Sequence, residues 1–321
     1  MGIEPISTVY KAGSAYVRTL PRPVSTATAA LASWAAIEVS AERRLLVERN
    51  LRRAYGPGYG GAALRRSVLA TFRSYGRYWI DSFRLPDLSI AEIDAGFAFD
   101  GVGEILEARA QGIGPILVLP HLGGWEWAGF WLTRVLELPV TVVVEPVEPP
   151  ELFEFFAAFR RKLGMNIVAL GPNAGAEVLK AIKDRHVVCL LADRDIPGDG
   201  IPVEFFGERT TMPAGPATLA MRTGAPLLPT AVYFQGRGHH AIVGPAISTQ
   251  RLGRFRDDVS RVTQELADFL ERLIRTAPEQ WHLQQPNWPS DYDALEAIGK
   301  PAVRPPNAAA PTGGGGTRAR G

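Results

Sequence analysis

The 321-residue sequence is poor in the residues that build redox and metal chemistry, with one cysteine, Cys189, and five histidines. A single cysteine cannot close an internal disulfide, so a reducing compartment suits the chain and an oxidising one is not required. His121, His186, His239, His240 and His282 show neither H-E-x-x-H nor the Cys/His spacing of a zinc site, and no metal is expected. G-x-S-x-G, G-x-x-x-x-G-K-S/T and a strand-to-helix G-x-G-x-x-G are also missing, which argues against serine hydrolases, P-loop proteins and dinucleotide enzymes. The opening "MGIEPISTVYKAG" has no basic start and no apolar stretch, so no secretory signal is expected. The best candidate for a membrane span, Val24 to Val39, is diluted by Ser25, Thr26, Thr28, Ser33 and Glu38. It falls short of the roughly 20 apolar residues a bilayer demands.

What is present is the composition of a globular protein with a sizeable core, 46% hydrophobic and 21% charged, with a net charge of only +2. The charge is unevenly spread. Arg43, Arg44, Arg49, Arg52, Arg53, Arg65, Arg66, Arg73 and Arg77 gather near the amino end, as a solvated helix face or as a surface for anionic lipid. Nucleic acid is not expected, because these residues lie on helices rich in apolar positions and no recognised binding module is present.

Three zones follow from periodicity. Residues 1–100 read as helical, with Leu64, Val68, Leu69, Phe72, Tyr75 and Trp79 forming one stripe. Residues 101–298 alternate short apolar runs, at 115–120, 140–145, 166–170 and 186–192, with helical stretches near 124–136, 150–163 and 175–184. That alternation predicts an α/β fold with a largely parallel central sheet flanked by helices. A helix near 213–223, a hairpin turning at "QGRG" and an amphipathic helix over 252–276 complete the core. Residues 299–321, rich in Pro, Ala and Gly, are expected to be a disordered tail.

In open α/β sheets, sites form beyond the carboxyl ends of strands. His121 sits at such an end in "LPHLGGWEWAGF", and Gly123 and Gly124 permit a tight turn. Glu126 suits the first turn of the following helix, where the dipole favours an acid. Alternatively the turn folds back, Glu126 accepts a hydrogen bond from His121 Nδ1, and Nε2 is left as a general base. Asp193, Arg194 and Asp195 leave the apolar run 187–192 at a second strand end. Gly215 opens a helix whose free N–H groups suit an anion. Glu145 and Arg160 form a third cluster, and the run Arg160, Arg161, Lys162 suits a phosphate-bearing ligand, which arginine can grip with paired hydrogen bonds.

"HLGGWE" reads as H-x4-E, which resembles the H-x4-D/E signature of glycerolipid and lysophospholipid acyltransferases. The segments "PILVLPHLGGWEWAG" and "LADRDIPGDGIPVEFFGERTTMPAGPATLAMRTGAPLLP" and the late "PEQWH" narrow the resemblance. They are similar to the branch that holds lipid A lauroyl/myristoyl acyltransferases and actinobacterial phosphatidylinositol mannoside acyltransferases. "YKAGSAYVRTLPRPVS", "EPVEPPELFEFFAAFRRKLG" and "ADRD" in place of D-Q-D favour the mannoside enzymes. The resemblance covers about residues 8–290. It implies a peripheral protein on the cytoplasmic face of the plasma membrane, meeting an anionic surface through its helical amino-terminal region. The partners it implies are acyl-CoA, as a substrate rather than a cofactor, and a mannosylated phosphatidylinositol acceptor, acylated on a mannose 6-hydroxyl. It maps the catalytic pair onto His121 as base and Glu126 as acidic partner, and it implies a further acid, first Asp195 and second Glu204, that holds the acceptor or supports the histidine. The oxyanion is expected at the backbone of Gly123–Gly124 or Gly215. The acyl groove is expected beside the aromatic "WEWAGFWL" helix.

Overall fold

The computed structural model describes residues 4–305, with side chains left aside at 4–11, 22, 23, 26, 30, 33 and 34. Its amino-terminal part is helical, with α1 (Glu4–Thr19), α2 (Arg22–Val39), α3 (Ala41–Tyr55), α4 (Gly61–Arg84) and α5 (Ile90–Ala95). Ser89 starts α5 through a reciprocal cap with Glu92. The helical zone ends earlier than the sequence suggested. Residues Phe97–Asp100 form β1, because Phe97 and Phe99 turn to one side and cover Trp131 at ring separations of 4.9 and 4.8 Å. Four residues are too few for a period-2 pattern to stand out.

The core continues as α6 (Val102–Ala110), β2 (Ile116–Leu119), α7 (Trp125–Arg134), β3 (Val140–Val144), α8 (Pro150–Lys162), β4 (Met165–Ala169), α9 (Ala174–Lys183) and β5 (Val187–Leu191). There follow β6 (Ile201–Phe205), β7 (Glu208–Met212), α10 (Gly215–Thr223), β8 (Leu227–Gln235), β9 (Gly238–Val243), α11 (Phe255–Thr276) and α12 (Pro289–Ala297). Seven strands form one sheet in the order β1-β9-β8-β2-β5-β3-β4, parallel throughout except for the β8–β9 hairpin. The expected α/β class with a largely parallel sheet is the class observed. A separate antiparallel pair, β6–β7, lies within the stretch between the expected strand 186–192 and helix 213–223.

Strand residues alternate between two apolar layers, as the pleat requires. Ile116, Val118, Val188 and Leu190 face α9, α10 and α11, whereas Leu117, Leu119, Val187 and Leu191 face α5, α6, α7 and α8. Both faces are therefore covered, which is why the strands read as continuous apolar runs. The amino-terminal helices dock through charge as well as packing. Arg53 on α3 pairs with the buried Asp291 of α12 at 2.8 Å and with Glu208 of β7 at 2.9 Å, and Arg49 reaches Asp291 at 2.6 Å. Arg77 on α4 donates to Asp81 and to the carbonyls of Gly236 and Gly238 in the β8–β9 turn. Three of the nine gathered arginines thus hold the fold together; Arg43, Arg65, Arg66 and Arg73 are exposed. Residues 299–305 carry no regular element, but Arg304 pairs with Asp293 and lies 5.6 Å from the Tyr292 ring centre. The rest of the expected tail, 306–321, lies outside the described residues.

Candidate functional site

β2 and β5 are parallel neighbours in register, Leu119 opposite Leu191, and the Ala192 N–H still donates to the Leu119 carbonyl. Two residues beyond that register, His121 and Asp193 stand side by side. His121 Nδ1 lies 2.6 Å from Asp193 Oδ1, and the His121 backbone N–H donates to Oδ2 at 3.0 Å. The indole of Trp281 donates to the same Oδ2 at 2.8 Å, and Asn287 holds the Asp193 carbonyl at 2.9 Å. Asp193 is completely buried. Burial alone would raise its pKa, but the charge of His121 and then its hydrogen bonds outweigh burial and hold the carboxyl below the ordinary range. Nε2 of His121 makes no hydrogen bond among the described residues, and the half-buried ring lines a cavity of about 710 Å³.

The hydrogen bond expected between His121 and Glu126 is not made. Glu126 points back into the protein, where Arg160 Nε and Nη2 grip its Oε1 at 3.0 and 2.6 Å. The reason is helical geometry: Glu126 is the second residue of α7 and turns toward Arg160 of α8, while His121 precedes the turn. The hydroxyl of Tyr78 belongs to the same buried cluster, its pKa raised well above the usual by burial and then by the charge of Glu126. Arg160 borders the cavity, yet its guanidinium is committed to Glu126 rather than offered as an exposed grip for phosphate.

The other expected residues divide. Glu145, Arg194, Asp195 and Gly215 all line the cavity, and Arg194 bridges to Glu145 at 3.6 Å across the ends of β5 and β3. Asp195 spends both oxygens on its own loop, accepting from Gly198 N–H at 3.2 Å and Gly200 N–H at 2.8 Å. Asp193, which leaves the same strand end, does not line the cavity as a substrate-binding residue would, and is sealed behind His121. Glu204 is exposed on β6, its backbone paired with Gln264, and takes no part in the cavity. The acid beside the histidine is therefore neither Asp195 nor Glu204. Gly123 and Gly124 are also occupied: their N–H groups donate to the carbonyls of Gln280 and Val232. Gly123 has φ +59°, and a Cβ there would sit 1.9 Å from the Val232 oxygen, so this glycine serves the turn against β8.

The α7 aromatics are core. Trp127, Phe130, Trp131 and Leu132 are buried, and the two indoles are tied to Ile93 and Asp94 of α5. A Cβ on Gly129 would meet the Met165 methyl at 2.6 Å. Of this helix only Trp125 lines the cavity. Its apolar wall is built instead by Val142, Val143, Phe153, Phe156, Val178 and Leu219, from β3, α8, α9 and α10. Cys189 joins this wall with its thiol pKa pushed up to about 12 by burial, so it stays protonated. Among the described residues no group of three or more His, Cys, Asp or Glu is placed to hold a metal ion.

The sequence pattern places Tyr75 and Trp79 of α4 only in a helical stripe and gives no site role to them, to Tyr78, or to Trp281 and His282; Tyr75, Tyr78, Trp79 and His282 line the cavity. His282 donates its N–H to the His121 carbonyl at 2.7 Å, and its Nε2 lies 2.8 Å from Ser74 Oγ. Burial, followed by the charge of His121, lowers its pKa to about 3. "PEQWH" was visible as a motif, but nothing local shows that it lies against residues 121–123.

The sequence profile of the bacterial lipid A biosynthesis acyltransferase family matches residues 4–290. Proteins from two strains of Mycobacterium tuberculosis, each named phosphatidylinositol mannoside acyltransferase, are 39% identical over 229 residues, 70% of this chain and 71% of theirs. A protein of the same name from Mycolicibacterium smegmatis is 37% identical over 288 residues, 88% of this chain and 91% of its own.

The buried neutral His282 sets a pH dependence of stability. Above about pH 6.5 neither state protonates it; below, the unfolded chain takes up a proton that the fold refuses until about pH 3. Its contribution is present above pH 6.5 and falls with pH, by at most about 1.4 kcal/mol per unit. Denaturant unfolding between about pH 6.5 and 5, where few carboxylates titrate, should show a shallower slope for His282→Asn than for the parent. Equal slopes would mean that the ring is protonated in the folded protein.

Proposed function

The chain belongs to the bacterial lipid A biosynthesis acyltransferase family and is an acyltransferase, and we propose that it moves a palmitoyl-type chain from acyl-CoA to the 6-hydroxyl of a mannose of phosphatidylinositol mannoside. The observation that carries this is the His121–Asp193 pair, with His121 lining a largely apolar cavity and its Nε2 unpartnered. The names of the mycobacterial relatives support the acceptor.

His121 Nε2 takes the proton of the mannose hydroxyl as the oxygen attacks the thioester carbonyl. Asp193 keeps the proton on Nδ1 and stabilises the imidazolium that forms. Collapse of the tetrahedral intermediate breaks the C–S bond, and the imidazolium proton goes to the departing thiolate. With Gly123 and Gly124 committed elsewhere, the oxyanion falls to the start of α10 at Gly215, where the helix dipole favours negative charge. Cys189, held as a thiol, is not required to form an acyl-enzyme. The reaction needs no cofactor, since acyl-CoA is consumed as substrate. Glu145 and Arg194, at the cavity rim, suit the hydroxyls and phosphates of the two substrates. Glu126 and Arg160 brace the wall between α7 and α8.

Peripheral attachment on the cytoplasmic side of the plasma membrane is part of the same proposal. Among the described residues no helix is long and apolar enough to cross a membrane. α2 instead exposes Val24, Leu31 and Val39 at helical spacing, an apolar stripe that suits a membrane surface. The exposed arginines Arg43, Arg65, Arg66 and Arg73 add attraction to anionic lipid, about 1 kcal/mol each near the surface.

Three measurements check this. With palmitoyl-CoA and extracted mannosylated phospholipid, His121→Ala should abolish product in mass spectrometry, and Asp193→Asn should cost roughly 10²–10⁴ in turnover. Glu126→Gln should mainly destabilise, by about 3–5 kcal/mol, because it strands the buried Arg160 charge. An active His121→Ala protein would refute the base, and product only from an acyl-carrier-protein thioester would refute the donor. In the apolar wall, Val143→Phe and Leu219→Trp should shift preference toward shorter acyl-CoA, since each buried methylene is worth about 0.8 kcal/mol. Equal losses at every chain length would place the acyl chain elsewhere. In flotation, the protein should rise with anionic vesicles and less so in high salt, and Leu31→Asp or Val39→Asp should abolish it. Flotation that ignores both salt and these substitutions would overturn the surface assigned to α2.

A further inference from the structure

Asp193 has two oxygens and a side chain that could turn, yet catalysis by His121 needs one oxygen aimed at Nδ1. Oδ2 receives two N–H donors, the His121 backbone at 3.0 Å and the Trp281 indole at 2.8 Å, and this leaves Oδ1 to the imidazole at 2.6 Å. The indole itself is rigidly held. Trp281 is buried, pairs through its backbone with Leu122, and packs 5.4 Å from the Phe206 ring and edge-on to Phe205 and Trp288 at 6.2 Å each. Its neighbours grip the same loop. Gln280 accepts the Gly123 N–H and exchanges hydrogen bonds with the Phe234 backbone, and His282 donates its N–H to the His121 carbonyl. Trp281 does not border the cavity, so it has no access to substrate.

We propose that Trp281 is a positioning residue for the acid–base pair, its Nε1–H fixing the plane of the Asp193 carboxylate and moderating the charge that Oδ1 presents to His121. Partners of this kind behind a functional histidine set its tautomer and orientation. A donor on Oδ2 draws negative charge away from Oδ1. Without it, Oδ1 holds the imidazolium more strongly, which favours the protonated form over the neutral base. The other titratable neighbours leave this effect undisturbed. His282 is neutral, Arg194 is paired with Glu145, and the Asp195 carboxylate is spent on Gly198 and Gly200. Phenylalanine would fill part of the space but supply no donor.

The inference rests on His121 as general base, and the test separates the two. Trp281→Phe and replacement of Trp281 by benzothienylalanine, which keeps the bicyclic shape and lacks the N–H, are compared with the parent in kcat, KM and the pH profile of kcat/KM. Both should lower kcat by roughly tenfold or more. The KM for palmitoyl-CoA should stay nearly unchanged and the acid limb should move to higher pH. A benzothienylalanine protein with parental kcat and an unmoved acid limb overturns the proposal. So does a protein that loses only thermal stability, since that would leave packing as the whole role of the ring. His121→Ala run in parallel distinguishes the failures: an active variant removes the base itself, whereas an inactive one beside an unaffected benzothienylalanine protein removes only the part given to Trp281.

Discussion

A carboxylate with no access to water is the constraint around which the catalytic end of this protein is assembled. Leaving such a charge uncompensated costs several kcal/mol, so a buried Asp193 requires donors converging on it from separate parts of the chain. They come from the end of β2 and from Trp281, far away in sequence, while Asn287 holds the Asp193 backbone carbonyl. Each donor is useful only if the others are in place. The register of β2 on β5, the turn at Gly123 and the docking of the 280–282 segment are therefore parts of one arrangement.

Three acids near the cavity carry different tasks because their partners differ. Asp193 meets a histidine whose other nitrogen is open to the cavity, an arrangement suited to moving a proton. Glu126 meets a guanidinium and a phenol and locks α7 to α8 and α4. Asp195 meets two backbone N–H groups and shapes the loop that follows β5. A carboxylate's role is thus set by what reaches it, and spacing from the histidine in sequence is a poor guide to that.

The aromatic helix after the histidine shows the same division between packing and chemistry. Trp127, Phe130 and Trp131 fill the layer under the sheet, each worth about 1.5–3 kcal/mol of burial, and leave no channel there. The free apolar surface lies across the cavity, on β3, α8, α9 and α10.

Much was legible in the sequence itself. The apolar runs at β2, β3 and β5 identify buried parallel strands, because side chains covered on both faces leave no polar alternation. From that class alone His121 could be placed at a strand end, and with it the neighbourhood of Glu145, Arg194 and Asp195. Short elements such as β1 and the β6–β7 hairpin were lost, since a few residues hold too little periodicity. What only the tertiary structure decided was pairing. Strand order is not written in any one strand, so that β5 lies beside β2, and Asp193 beside His121, depends on how the whole sheet assembles. The same holds for Glu126, which a local rule joins to His121 five residues earlier. Helix direction turns it away, and Arg160, 34 residues on, takes the carboxylate because a buried charge must find a partner wherever packing brings one.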